Sequence, residues 1–581
     1  MLVATLAVLA FSVFTQTAIA DTPDEGSGTA TDPYLIDDWY DLNATRDNLS
    51  AYYELTADLD EGTPGYEELV NTTNGWDPIG AYDYHSDVEF KGTFDGKGHE
   101  IRGLFINHSG ADYMGLFGGI KHEAEVTNLG LIDANVTGGS NVGALVGYNL
   151  EGTVNHSYAT GNVTGSWDVG GLVGYSDGTV NNSYARGNVS GDEIVGGLVG
   201  YSDGTVNNSH AAGNVTGDKY VGGLVGWTYE GTIENSHYNI DQVLINDGHH
   251  VTTGGLFDTQ YQDWIADKNL DIADYSDTLI PSGDYYEISD MQGLKDILGF
   301  ADDEEYTFRL TENLDLASEP GLYIPYLTAG FDGDNHTISN LYIDRPFNAN
   351  VGMFGYIRGG TVANIGVVHA NVSGEYDVAV LVGQNYDGAV DNSYAAGNVT
   401  GAWNVGALVG SNRDGAVSNS YATADVSGVA GDDDVGGLVG YNLRGTVENS
   451  YATGDVTGPN GNTGGLVGYN YEGAVENSYA TGDVSAPQCG AIDGTGGLIG
   501  RNDYGPVNNS YATGNVSGNN NVGGLVGKIH DGTVENSYAT GGVSGPDGET
   551  GGLVRENGGT VTNSYWNTET SGQDTSGGGT G

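Results

Sequence analysis

The residues able to do chemistry in this chain are few and scattered. A zinc peptidase needs HExxH on one helix, so that two histidines ligate the metal and the glutamate serves as base. His99-Glu100 is followed by Ile-Arg-Gly and His122-Glu123 by Ala-Glu-Val, so neither supplies the second histidine. His249-His250 lies in a polar break and reads as a solvated pair. Cys489, the single cysteine, has no acid or base grouped with it and reads as a bystander in a loop. Asp432-Asp433-Asp434 could hold a cation, although a charge run of this kind is usually solvated. Phe94-Asp95-Gly96-Lys97-Gly98-His99 and Phe331-Asp332-Gly333-Asp334-Asn335-His336 each set an aspartate ahead of a histidine. Asp-Gly is a strong turn former, so a structural turn is the preferred reading over an Asp/His site. Asn135, Asn162, Asn188, Asn214, Asn371, Asn398 and Asn515 each open an N-V-[ST]-G glycosylation pattern. The same place carries Asp425, Asp455 and Asp483 in other copies, so it wants an Asx residue for the backbone first and a glycan second. No catalytic set, cofactor site or metal cluster emerges.

What positions these residues is a repeat. The segment VGGLVGYSDGTVNNSYARGNVSG, beginning at Val169, returns with light edits along the chain. Its leading residue recurs as Val142, Val169, Val195 and Val221, then as Val378, Val405, Val435, Thr463, Thr495, Val522 and Thr550, mostly in steps of 26 to 28 residues. Each unit reads as three short strands, GGLVGY, GTVxNSYA and GNVSG or GDVTG, separated by glycine or Asx-Gly. Strands this short bury no core within one unit, but stacked on their equivalents they do. The expectation is an all-β, parallel, right-handed β-helix solenoid. With neighbouring strands about 4.8 Å apart, some 18 coils would run roughly 85 Å. A leucine-rich repeat is the rival, but LxxLxLxxN and a helix per repeat are absent.

Within Val180-Asn181-Asn182-Ser183-Tyr184 the position of Asn181 varies between copies, whereas Val180, Asn182 and Tyr184 hardly change. Alternation by two predicts inward ladders of Val, Asn and Tyr, with amides bonding up the stack and rings piling on one another. His210 and His237 take the Tyr rung in two copies and read as packed aromatics.

A larger period sits above the coil. FDGxxH, then LFG (116–118) against MFG (353–355), and ELTADLD (54–60) against RLTENLD (309–315) mark two modules. Each opens with a short helical stretch, around Trp39–Asn48 and Asp290–Leu298, expected to cover an otherwise unpaired sheet edge. The expected organisation is a signal peptide at 1–20, a first module at 21–240 and an inter-module segment at 241–284. A second module at 285–566 and a flexible Gly/Ser/Thr tail at 567–581 complete it. Within the inter-module segment, 259–270 reads as another short helix.

The recurring Gly-Gly-Leu-Val-Gly, at 170–174 and 436–440 for example, resembles the GLUG motif of bacterial and archaeal surface proteins. FDGxxH, NSYxxT-G and the closing NSYWNTETSG are similar to the same family. The resemblance implies parallel β-helix regions of secreted or surface-attached, adhesin-like proteins, and in some cases non-catalytic parts of large metallopeptidases. Val378-Ala379-Val380 departs by losing the glycine pair and Val554-Arg555 by losing the last glycine, which predicts slightly irregular coils there.

Composition narrows the function. Seventeen Lys+Arg against 78 Asp+Glu give a net charge of −61, which excludes a nucleic-acid partner. So anionic a surface needs salt to screen it, and a halophilic origin is the preferred reading over an ordinary acidic secreted protein. Residues 1–20 are apolar and end Ala18-Ile19-Ala20 before Asp21, the pattern of signal cleavage between Ala20 and Asp21, although no Lys or Arg precedes Arg46. No later window is apolar enough to span a bilayer. Enlarged loops gather at one corner, at 428–434, 458–462, 486–494 and 545–549, where solenoids often bind. The chain is therefore expected to be an extracellular or cell-surface structural or adhesion solenoid, not an enzyme and without a cofactor, contacting surface glycans or other surface proteins. Two alternatives stay open. One is a β-helix polysaccharide lyase or hydrolase, whose site assembles from several coils and leaves no linear motif. The other is a non-catalytic repeat fragment of a larger surface metallopeptidase.

Overall fold

The computed structural model describes residues 23, 25–80, 88–429, 434–488, 490 and 493–581. Among them the chain winds as a parallel β-solenoid. One set of four sheets, with eight, five, ten and four strands, is built before residue 257. A second set, with twelve, sixteen, nine and eight strands, is built after residue 278. No sheet spans both sets. The ladders between named strands are parallel, apart from the hairpin Leu279–Ser282 with Tyr285–Ile288 that opens the second module.

One coil shows the local logic. Val435-Gly436 pairs in the eight-stranded sheet, Val439–Leu443 in the nine-stranded sheet and Thr446–Glu448 in the twelve-stranded sheet. Tyr451–Ala452 and Val456–Thr457 then both join the sixteen-stranded sheet. Register is residue on equivalent residue, as in Val417↔Val447↔Val475. Columns such as Leu438, Val439, Val447 and Val475 are fully buried, each side chain contributing about 1.5–3 kcal/mol. The GGLVGY piece thus bends into two strands, and its glycines are steric requirements. A Cβ on Gly436 would lie 1.9 Å from the Val439 carbonyl oxygen, and one on Gly440 would lie 2.5 Å from the amide nitrogen of Val405 one coil away.

The inward assignment of Val, Asn and Tyr holds for valine alone. Val180, Ser183 and Ala185 face the core, while Tyr184 is half-buried on the outside. The reason is backbone conformation. Asn182 takes φ 49°, a left-handed corner that ends the strand and resets the parity. The equivalent asparagines at Asn392, Asn419, Asn449, Asn477, Asn509 and Asn536 share this conformation, as does His156, which replaces the asparagine in one coil. Their amides do link coils, as when Asn208 Nδ2 donates to Asn182 Oδ1 at 3.1 Å and Asn235 Nδ2 to Asn208 Oδ1 at 2.8 Å. The buried serines behind them form another column, each Oγ accepting an amide N–H from the neighbouring coil, as in Ser420 N to Ser450 Oγ at 3.1 Å.

Short helices begin both modules. Trp39–Ala44 is capped by Asp38 and buries Trp39 and Leu42; Met291–Asp296 is capped by Asp290 and buries Leu294. At the other end, residues 567–581 fold back over the last coil and do not form a free tail. Gly552 N donates to Thr575 O, Gly577 N to Val554 O and Thr580 N to Ser564 O, so the final strand edges are covered.

The modules meet at a hydrogen-bonded seam. Lys219 Nζ lies 2.7 Å from Glu375 Oε1, Tyr220 N donates to Phe347 O, and Arg413 Nη1 donates to the Tyr229 hydroxyl at 2.7 Å. The inter-module helix Asp258–Asp267 closes one flank with Trp264 buried.

Candidate functional site

The outer side of the sixteen-stranded sheet is the most regular surface of the molecule. Along each strand Tyr, Thr, Asx and Ser/Thr point outward while Ala and Val point in, as in Tyr451, Thr453, Asp455 and Thr457 against Ala452 and Val456. Tyr394, Tyr421, Tyr451, Tyr479, Tyr511 and Tyr538 stack with centroids 4.8–5.0 Å apart and planes within 5°. Their faces are consumed by the stack, so the ring edges and hydroxyls meet solvent. The enlarged loops leave the coils at one edge of this sheet, between it and the eight-stranded sheet.

The Asx column beside the tyrosines has a mechanical task. Asp425 Oδ1 accepts the Asp455 N–H at 3.0 Å, Asp455 Oδ1 the Asp483 N–H at 2.9 Å and Asp483 Oδ1 the Asn515 N–H at 2.8 Å. Asn188 and Asn214 do the same, towards Asn214 N and Leu244 N. Asn and Asp interchange here because each supplies the one oxygen that the next coil needs.

The other recess lies at the seam. A cleft of about 540 Å³ is bounded by Thr232, Glu234 and Asn235 of the first module, Asn269 and Leu270 of the linking segment, and Gly299, Phe300, residues 302–304, Tyr306, Tyr326, Thr328 and Arg358 of the second. Asp302 Oδ2 accepts the Asn235 N–H at 2.8 Å, and burial pushes this carboxyl up to about 6.

Comparison with known proteins identifies the coil. The model of the GLUG motif matches residues 138–164, 165–190, 401–427, 433–457, 459–485 and 518–544. Six coils of the chain match the GLUG motif. Halomucin of Haloquadratum walsbyi is 34% identical over 139 residues, 23% of this chain and 2% of that protein. A protein of Evansella cellulosilytica, provisionally described as a Gly-rich membrane protein, is 30% identical over 135 residues, 21% of this chain and 14% of its own length. The chain therefore spans only a small part of these curated relatives. Among solved structures, one from Bacteroides ovatus, provisionally described as an immunoglobulin A1 protease, aligns with 48% of this chain and 84% of its own, at 21% identity and a TM-score of 0.34.

The GLUG coils place the candidate residues as follows. Asn135, Asn162, Asn188, Asn214, Asn371, Asn398 and Asn515 are all exposed, on the Asx column just described. Asp432 and Asp433, Cys489, and Ala20 with Asp21 lie outside the described residues. Asp434 is half-buried in the eight-stranded sheet, where its Oδ1 accepts Asn462 Nδ2 at 2.8 Å. In FDGxxH the aspartate and histidine do not meet: Asp95 Oδ1 accepts the Lys97 N–H at 2.8 Å in a turn, while His99 Nδ1 sits 3.0 Å from Asp58. Asp332 repeats that turn with Asp334. His249 Nδ1 lies 2.9 Å from the Ile240 carbonyl oxygen. His210 stacks on Tyr184 at 4.9 Å, and both His210 and His237 meet the edge of Trp264; burial lowers each imidazole to about 3.

Among the described residues one acidic group, Asp37, Asp38 and Asp41, brings its oxygens within 4.8 Å, but Asp38 is occupied in capping its helix. A column that sequence reading missed runs through the core. Asn385, Asn412, Asn442, Asn470 and Asn502 are fully buried or nearly so, each Nδ2 donating to the next Oδ1 at 2.6–2.8 Å. Its signal was present as the Asn of V-G-x-N, in the residues after the motif's last glycine.

Proposed function

We propose that this chain is a cell-surface structural or adhesion solenoid, working by contact and not by catalysis. The observation that carries the reading is the outer face of the second module. There Asp425, Asp455 and Asp483 each bond the backbone of the next coil, the structural task expected of an Asx residue at this place. Such a face is an ordered array of hydroxyls and ring edges, suited to multivalent contact with glycans or with another protein surface. The likeness to halomucin and to a protein described by its membrane supports a place at the cell surface, and the charge of −61 supports a salty medium. No helix of the described residues is long and apolar enough to cross a membrane.

Deleting residues 486–494 tests the reading. Lost attachment to cells or surfaces with unchanged circular dichroism and melting supports it. Turnover of an acidic glycan by the purified chain overturns it.

A further inference from the structure

The cleft at the seam is built unlike the rest of the surface. Its rim, Glu234, Asn269, Asp303 and Glu304, is exposed and acidic, as is most of this protein. Deeper down the chemistry changes. Tyr326 is only 5% exposed, and its hydroxyl lies beside the Arg358 guanidinium and the Ile233 backbone without a well-formed hydrogen bond; Thr328 Oγ1 is also buried without a partner. Arg358 is half-buried, donates to Thr232 and stands beside the Tyr326 hydroxyl, with no ion pair among the described residues, so part of its five-donor fork is unused. Asp302 is half-buried in the same cleft, with one oxygen holding the Asn235 N–H, and Phe300 and Tyr306 add aromatic surface.

An orphaned buried hydroxyl costs about 1–3 kcal/mol, and two of them in one recess call for a ligand that supplies partners. The deep part carries one carboxylate and one guanidinium, so its charge balances, and the acidic rim repels anions. The carboxylate oxygens are also not gathered for chelation, since among the described residues such convergence occurs only at Asp37, Asp38 and Asp41. The volume of about 540 Å³ lies within the usual range for small-ligand sites. A ligand that both donates and accepts through adjacent groups, is uncharged, and has one apolar face fits all of these features.

We infer that the seam cleft is a binding site for a neutral sugar, one or two residues long, held by Tyr326, Thr328, Arg358 and Asp302. The site draws residues from both modules and the segment between them, so it exists only when the seam is closed. It does not depend on the loop corner. A chain lacking 486–494 that loses attachment but keeps sugar binding separates the two claims.

The test is saturation-transfer NMR and calorimetry on the full chain in molar salt, with glucose, galactose, mannose, N-acetylglucosamine and their disaccharides, and with glucuronate, spermidine and calcium as contrasts. Saturable binding of at least one neutral sugar, weakened about tenfold or more in Tyr326→Phe with melting unchanged, supports the site. Arg358→Gln provides a second variant, and loss of sugar binding with the seam intact by hydrogen exchange again supports it. Binding of none of the neutral sugars, equal binding by Tyr326→Phe, or binding of only glucuronate, spermidine or calcium overturns it.

Discussion

The two modules carry the same repeat, yet their interiors are finished differently. In the second, Asn385, Asn412, Asn442, Asn470 and Asn502 form an unbroken amide ladder. In the first, the same register runs Asn149, Ser176, Ser202, Thr228, and the hydroxyls of Ser202 and Thr228 are buried without partners. A second column repeats the contrast. Asp377 receives Asn404 Nδ2 at 2.7 Å, whereas Asp168 is followed on the next coil by Ile194 and its Oδ1 has no partner. Ile194 also sits at φ 58°, a left-handed conformation that β-branched residues resist. The departures crowd towards the end of the first module, where Tyr220 and Tyr229 bond the second module and His237 meets Trp264. Unpaired buried atoms are not confined to the first module, since Asn385 Oδ1, Ser411 Oγ, Thr463 Oγ1 and Thr495 Oγ1 of the second also lack partners; what the first module lacks is the amide ladder, on the coils that lead to the seam.

The largest effect is expected from breaking the complete ladder. Asn442→Leu strips Asn412 of an acceptor, Asn470 of a donor and the Gly445 carbonyl of its partner, all inside the core. A loss of about 3 to 5 kcal/mol is expected, measured as lost hydrogen-exchange protection in coils 405–480 while the first module stays protected. Equal protection in the two modules would show the ladder to be decoration.

Next comes Asp168. Burial raises its carboxyl to about 6 from an ordinary 3.8, so the folded state holds the proton more tightly than the unfolded chain. Its stabilising contribution is therefore complete below about pH 3.8 and is lost as the pH rises through about 6. Asp168→Asn should stabilise the first module by about 2 to 3 kcal/mol at pH 7.5, with the gain vanishing near pH 4. A gain independent of pH would assign it to something other than this ionisation.

Ile194→Asn makes the first module resemble the second. It places an amide over Asp168, as Asn404 lies over Asp377, and relieves a strained backbone. A gain of about 1 to 2 kcal/mol is expected in denaturant unfolding, despite the lost apolar burial. Combined with Asp168→Asn the gains should fall short of additive, because both relieve the same carboxylate.

How far the sequence reaches follows from these same columns. Coil length, stacking register and the valine core are visible because they repeat every 26 to 28 residues. The tyrosine stack is visible too, but not its outward face, because the left-handed Asn182 corner resets a parity that counting by two assumes. The buried asparagine ladder hides in plain view: its residues follow V-G-x or I-G-x, three positions before the next glycine, and a polar residue there gives no sign of facing the core. The seam is not legible at all. Lys219 with Glu375 and Arg413 with Tyr229 join residues more than a hundred positions apart, with no repeat to announce them.

The smallest expected effect is the sharpest test of why the modules differ. Ser202→Ala deletes a buried hydroxyl that has no partner, so its loss removes a desolvation cost and very little bonding. Stability should hold or rise, by up to about 1 kcal/mol, because the relieved desolvation cost is offset in part by the lost packing of the Oγ. Ser450→Ala is chemically the same substitution but removes an Oγ that accepts the Ser420 N–H and donates to the Glu448 carbonyl, and should cost about 1 to 3 kcal/mol. Ser450 belongs to the serine column that both modules keep, so if the two serines cost the same, what matters is the volume of the side chain and not its bonding, and the unpaired hydroxyls of the first module carry no penalty of their own. If they split as expected, the serines and threonine of the first module are tolerated and not selected for stability, which leaves the seam as the reason the first module departs from its own repeat.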